Sequence, residues 1–135
     1  MAGDPFQLER FLAAQSGGVF EQALAELLSG RKTSHWMWFV FPQHQSLGRS
    51  STAKFYGLTG VEEAAAYANH PVLGERLRDC CRAILPHLRR LPAEMILGSV
   101  DALKLRSSME IFIEAVPDET LFADVSEAAE LHLGR

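Results

Sequence analysis

The chain has 135 residues, 47% of them apolar and 22% charged, with a formal net charge of −4. That length suits one ordinary domain, 1–135, able to bury most of the surface its unfolded form exposes, and the apolar content excludes a disordered or fibrous protein. A pI near 5.7 argues against nucleic-acid binding, which shows as a basic domain or a dense basic stripe.

The charge is unevenly spread: residues 71–109 carry seven basic and four acidic side chains, and residues 110–135 one basic and seven acidic. The acidic last segment is therefore expected beside Arg76, Arg78, Arg82, Arg89 and Arg90, or facing solvent. No apolar run approaches the roughly 20 residues of a membrane helix, and Met1 to Pro5 lack the basic and then apolar regions of a signal peptide. A cytoplasmic protein with no membrane contact is expected. Cys80 and Cys81 are adjacent, which suits neither a disulfide nor a metal site, so two reduced, buried thiols are expected.

In chain order, Asp4-Pro5 reads as an N-cap and first helical residue, followed by an amphipathic helix through Phe6, Leu8, Phe11 and Leu12 that ends near Gly17-Gly18. Val19, Phe20, Ala23, Leu24, Leu27 and Leu28 recur at spacings of three and four, with Gly30 placed just past the end of a second helix. The run Trp36 to Phe41 is six consecutive apolar residues, which fits a buried helical turn or a buried extended segment equally, and Pro42 ends it. Residues 43–60 read as a loop with one short helical turn.

Glu62 and Glu63 open a helix through Tyr67, and Asn69-His70-Pro71 breaks it. The next helix carries Val72, Leu73, Leu77, Cys80, Cys81, Ile84 and Leu85 and should end or kink before Pro86, which has no N–H to give. Pro92 to Leu97 is a short helix closed by Gly98. Ser99 is expected to cap a longer one through Ala115, and Asp118 to cap a last one through Leu131. Seven helical segments and at most one extended piece describe an all-α fold.

Lys32 to Gln43 concentrates aromatic mass between polar ends, so Trp36, Trp38 and Phe41 are expected to form a pocket wall with Lys32 and Gln43 at its edge. Asp101, Lys104 and Ser108 share one face of their helix, with Ser107 beside Lys104, so a carboxylate, an ammonium and hydroxyls line up. Such a face neutralises and hydrogen-bonds an anion, or is simply an exposed polar face with one weak ion pair. His35 beside the aromatic run is a candidate acid or base, with a plain structural histidine as the alternative. No zinc-ligand spacing, nucleotide loop or nucleophile elbow occurs, so no metal and no cofactor are expected.

Asp4 to Phe11, Ala14-Gln15, Glu26 to Gln43, Leu47 to Ser50, His70 to Leu77 and Asp101 to Met109 together resemble the bacterial family designated domain of unknown function 1810, sometimes labelled "calpastatin". The block H-W-M-W-F-V-F-P-Q at His35 to Gln43 is highly specific. The resemblance implies packed helices with no established activity, and polar signatures at Lys32, His35, Gln43, Asp101, Lys104, Ser107 and Ser108. The chain departs from the family pattern at Glu110, where a Thr is common, and it stops at Arg135 where relatives continue, which reads as a missing terminal segment. The label fits poorly, because such protease inhibitors are long, disordered and repetitive.

The residues thus point to a helical domain binding an anionic small molecule, with nucleotides among the candidates, through Lys32, Trp36, Trp38, Gln43, Lys104, Ser107 and Ser108. One rival is an N-glycosidase or other hydrolase with His35 or Asp101 as acid or base, by analogy to small helical ADP-ribose-processing proteins with comparable Lys and Trp features. The other is a protein-interaction module in which the aromatic run is all core and function lies on the acidic last helix. Its oligomeric state is not readable.

Overall fold

The computed structural model describes residues 3–132. Its described residues form helices α1 (Glu9–Ala14), α2 (Val19–Ser29), α3 (Met37–Val40), α4 (Ser51–Phe55), α5 (Val61–Asn69), α6 (Leu73–Leu88), α7 (Ala93–Leu97), α8 (Ser99–Ala115) and α9 (Leu121–Glu130), with a 3-10 turn at Gln45–Leu47. The all-α class is as expected, but two more helices are present than the seven read from the sequence. Both extra pieces are short and lie in the 37–55 region, where apolar spacing carries no phase.

The aromatic run is helical, not extended. Phe39 turns its carbonyl to the buried hydroxyl of Tyr67 (2.9 Å) and the amide of Gln15 (2.8 Å), so the exposed backbone groups of a one-turn helix find partners inside the protein. In the following loop, Gln45 N–H donates to Leu58 O and Leu58 N–H to Gln43 O, both at 2.8 Å, closing residues 43–58 on themselves.

Three expected caps differ. Asp4 does accept orphan N–H groups, but from Leu8 (2.7 Å) and Glu9 (3.0 Å), because a turn precedes α1. Gly98, at φ 88°, both ends α7 and starts α8, which leaves Ser99 inside the helix. Thr120, not Asp118, occupies the residue before α9, and its side chain makes no cap hydrogen bond. Pro86 does not end α6, which runs on to Leu88. Arg82 and Pro86 are both exposed, so the carbonyl deprived of its N–H donor lies on the side where water replaces it. Gly134 and Arg135 lie outside the described residues.

Helices α6 and α8 form the frame: α9 and α5 pack against both, α2 against the other flank of α6, and α7 along α8. Their apolar stripes merge into one buried cluster that includes Phe11, Leu27, Trp36, Phe41, Tyr67, Ile84, Phe112 and Phe122. Gly74 is required at the start of α6, since a Cβ there would run into the carbonyl oxygen of Ala68, to which Arg78 donates at 2.7 Å. Arg78 also grips Glu119 at 2.7 Å, so the acidic last segment does lie against a basic helix. Cys80 and Cys81 are unpaired and buried.

Candidate functional site

The site begins at Glu26, a carboxylate only 5% exposed on α2. Gly30, at φ 80°, reverses the chain after the helix, and the loop folds back over that carboxylate. Thr33 N–H (2.7 Å), Ser34 N–H (3.0 Å) and hydroxyl (2.5 Å), the Trp36 indole N–H (2.9 Å) and the Gln22 amide (2.8 Å) all donate to it. Burial pushes the Glu26 carboxyl up, but the bonds from Ser34, Gln22, Thr33 and Trp36 outweigh it and hold the group well below the ordinary carboxylate range. Lys32 N–H in turn donates to Ile96 O at 2.8 Å, which ties the loop to the end of α7, immediately before α8.

That placement carries the Lys32 side chain to α8. Its Nζ lies 2.9 Å from Asp101 Oδ2, while Lys104 Nζ lies 3.2 Å from Oδ1 of the same carboxylate. Each ammonium also sits over an indole, Lys32 at 5.1 Å from the Trp36 ring centroid and Lys104 at 4.7 Å from that of Trp38. A cation–π contact contributes about 0.5–2 kcal/mol depending on how dry it is. Lys32 is the inner cation, with its side chain 8% exposed against 19% for Lys104. Two ammoniums and one carboxylate leave a net charge of +1.

Five of the nine residues given a binding or catalytic role in the sequence therefore meet: Lys32, Trp36, Trp38, Asp101 and Lys104; Phe41, expected beside them in a pocket wall, is core at 1% exposure. The other four lie apart from the cluster's contacts. His35 is exposed between Ser34 and Trp36, so the burial invoked to make it an acid or base is missing. Gln43 contributes its backbone carbonyl to Leu58 N–H. Ser107, one turn beyond Lys104, lines a groove of about 300 Å3 with His44, Leu47, Val61, Ile111 and Glu114. Ser108 is completely buried, and its hydroxyl has no hydrogen-bond partner among the described residues.

Glu26 was missed in the sequence. The available signal was an acid between the core-facing positions Ala23 and Leu27, in a chain whose buried tryptophan needs an acceptor for its N–H. His44 was also not singled out; Ser46 N–H donates to its Nδ1 at 3.0 Å, so the neutral ring carries its proton on Nε2.

Fold and site together define a small all-helical domain built around a lysine–indole ion cluster. The chain belongs to the family described as Protein of unknown function (DUF1810), which it matches over residues 5–129. It is also similar to the conserved hypothetical protein Rv1873 from Mycobacterium tuberculosis, solved by crystallography at 1.38 Å. The two are 43% identical, the match covers 90% of this chain and 86% of that one, and the TM-score is 0.86. No curated protein matches the chain. None of the helices is long and apolar enough to cross a membrane among the described residues.

Proposed function

We propose that the protein binds an anionic small molecule of nucleotide type at the Lys32–Asp101–Lys104 cluster. The observation that carries this reading is the convergence of two lysine ammoniums, each on an indole face, from segments far apart in the chain onto one carboxylate. Water is a better host for three isolated charges than a partly buried cluster, so a purely structural role gains little from the arrangement. Lys104 and Trp38 form the accessible side: Lys104 supplies charge to an anionic group, Trp38 an aromatic surface for a ring, and Ser107 a hydroxyl one turn away. Trp36, 1% exposed, supports Lys32 from within. A cytoplasmic address, where such metabolites abound, belongs to the same reading.

Binding is favoured over hydrolysis because both Asp101 oxygens already accept ammonium N–H groups and His35 stands in solvent. The interaction-module reading keeps one supporting observation, the exposure of Val100 (64%) and Leu103 (61%) on α8 beside Lys104.

Thermal denaturation against a nucleotide and metabolite library tests the proposal, since a ligand at about 100 times its Kd adds roughly 2.7 kcal/mol of stability. A stabilising compound whose effect disappears in Lys104→Ala is the expected result. An effect unchanged in that variant removes Lys104 from the site, and no stabilising compound in the library removes the reading.

A further inference from the structure

We propose that Asp101 is the resident occupant of an oxoanion site, so that an external oxoanion, best a dianionic group such as a phosphate monoester, binds by displacing it. The inference rests on the anion-binding reading above and names its ligand class.

The two Asp101 oxygens each accept one ammonium, at 2.9 and 3.2 Å, so the carboxylate presents to the lysines the same two-oxygen edge that a phosphate presents. The lysines come from the loop after α2 and from α8, and Glu26 and Ile96 fix the first of them independently of Asp101 through Thr33, Ser34 and Lys32 backbone N–H groups. The pair of cations is therefore positioned by the fold and filled by Asp101.

A resident carboxylate is tethered, so its effective concentration at the lysines is on the order of millimolar or higher. A monoanion offers the ammoniums no more charge than Asp101 does and has to outcompete that concentration. A dianion brings twice the charge to the same two cations and, with Asp101 displaced, balances both ammoniums where Asp101 balances one. Asp101 has somewhere to go, since its side chain is 18% exposed. Lys104, at 19%, and the half-buried Trp38 leave the outer side of the cluster open for exchange. Asp101 thus weakens every external oxoanion by the same competition, and a dianion, which balances both ammoniums, overcomes it most readily.

Isothermal titration at about pH 8, well above the second phosphate ionisation near 6, tests this with phenyl phosphate as the dianion and methyl phenyl phosphate and benzoate as monoanions. The wild type is expected to bind phenyl phosphate at least about tenfold more tightly than either monoanion, and Asp101→Asn to bind all three at least about tenfold more tightly than the wild type does. Equal affinities in the wild type overturn the inference without any variant, so a folding defect in Asp101→Asn does not shield it. Unchanged or weaker binding of all three by a folded Asp101→Asn also overturns it, because Asp101 then does not compete for the lysines. Equal binding of all three by the wild type that is lost in Lys104→Ala sinks the displacement inference and leaves the anion site standing. No binding of any probe to wild type or Asp101→Asn sinks both.

Discussion

The carboxylate of Glu26 accepts the indole N–H of Trp36 at 2.9 Å, so the largest fully buried side chain is held by an acid on the preceding helix. The same carboxylate orders the loop that delivers Lys32 to Asp101. Core and candidate site thus share one anchor, and disturbing it is expected to affect both.

Glu26→Ala leaves the indole N–H and two backbone N–H groups without their acceptor. We expect a loss of about 3 kcal/mol, since each buried donor left unsatisfied costs about 1–3 kcal/mol and water reaches part of this loop. For a chain of this size that is a fall of roughly 10 °C in Tm by circular dichroism. The pH dependence follows from the sign of the shift. A carboxyl whose folded value is depressed contributes fully above its unfolded value of 4.5 and loses that contribution as the pH falls below it. The wild type should lose stability below about pH 4.5, and Glu26→Gln should flatten that acid limb. An equally steep limb in the variant would show that other carboxylates set it.

Lys104→Met keeps an aliphatic stem on Trp38 and removes the ammonium. The ion pair with Asp101 is partly exposed, so the folding cost should stay below about 1 kcal/mol. Ligand-induced stabilisation should vanish in the same samples. A variant that melts far below the wild type would mark Lys104 as a structural residue.

The two thiols should be inert in the folded protein. Burial pushes Cys80 up to about 12 and Cys81 well above the ordinary thiol value, and both lie in the core between α6 and its neighbours. At about pH 8 the thiolate fraction of Cys80 is then on the order of 10⁻⁴. Titration with a disulfide reagent should report no fast-reacting thiol until denaturant is added, and two afterwards. Rapid reaction of one thiol in native buffer would contradict the packing around α6.

Ser108→Ala removes a buried hydroxyl that has no partner among the described residues and adds a better helix former. Stability in urea should rise by about 1 kcal/mol, in contrast to the loss usual for a core substitution. A loss of that size instead would reveal an acceptor or an ordered water at Ser108.

Much of the architecture was legible from short windows. The three-and-four spacing of Phe20, Ala23 and Leu27, or of Leu73, Leu77, Cys80, Cys81 and Ile84, is a local property, and a glycine such as Gly30 closes a helix by its own conformational freedom. So was half of the site: Asp101 and Lys104 are three residues apart on one helix and must be neighbours wherever that helix goes.

Other features needed the packed molecule. Six apolar residues in a row carry no periodicity, so the helical form of Met37–Val40 was fixed by Tyr67 and Gln15, which reach the Phe39 carbonyl from distant segments. Gly98 displaced Ser99 as the start of α8 because α7 and α8 share it as their junction. Pro86 was tolerated because its side of α6 meets water. Local patterning can place an ammonium on a face, but the partner of a charge is chosen by which faces meet. Lys32 reaches Asp101 only because Glu26 and the Ile96 carbonyl bend the chain between α2 and the aromatic turn, and these contacts exist only once α2, α7 and α8 have assembled.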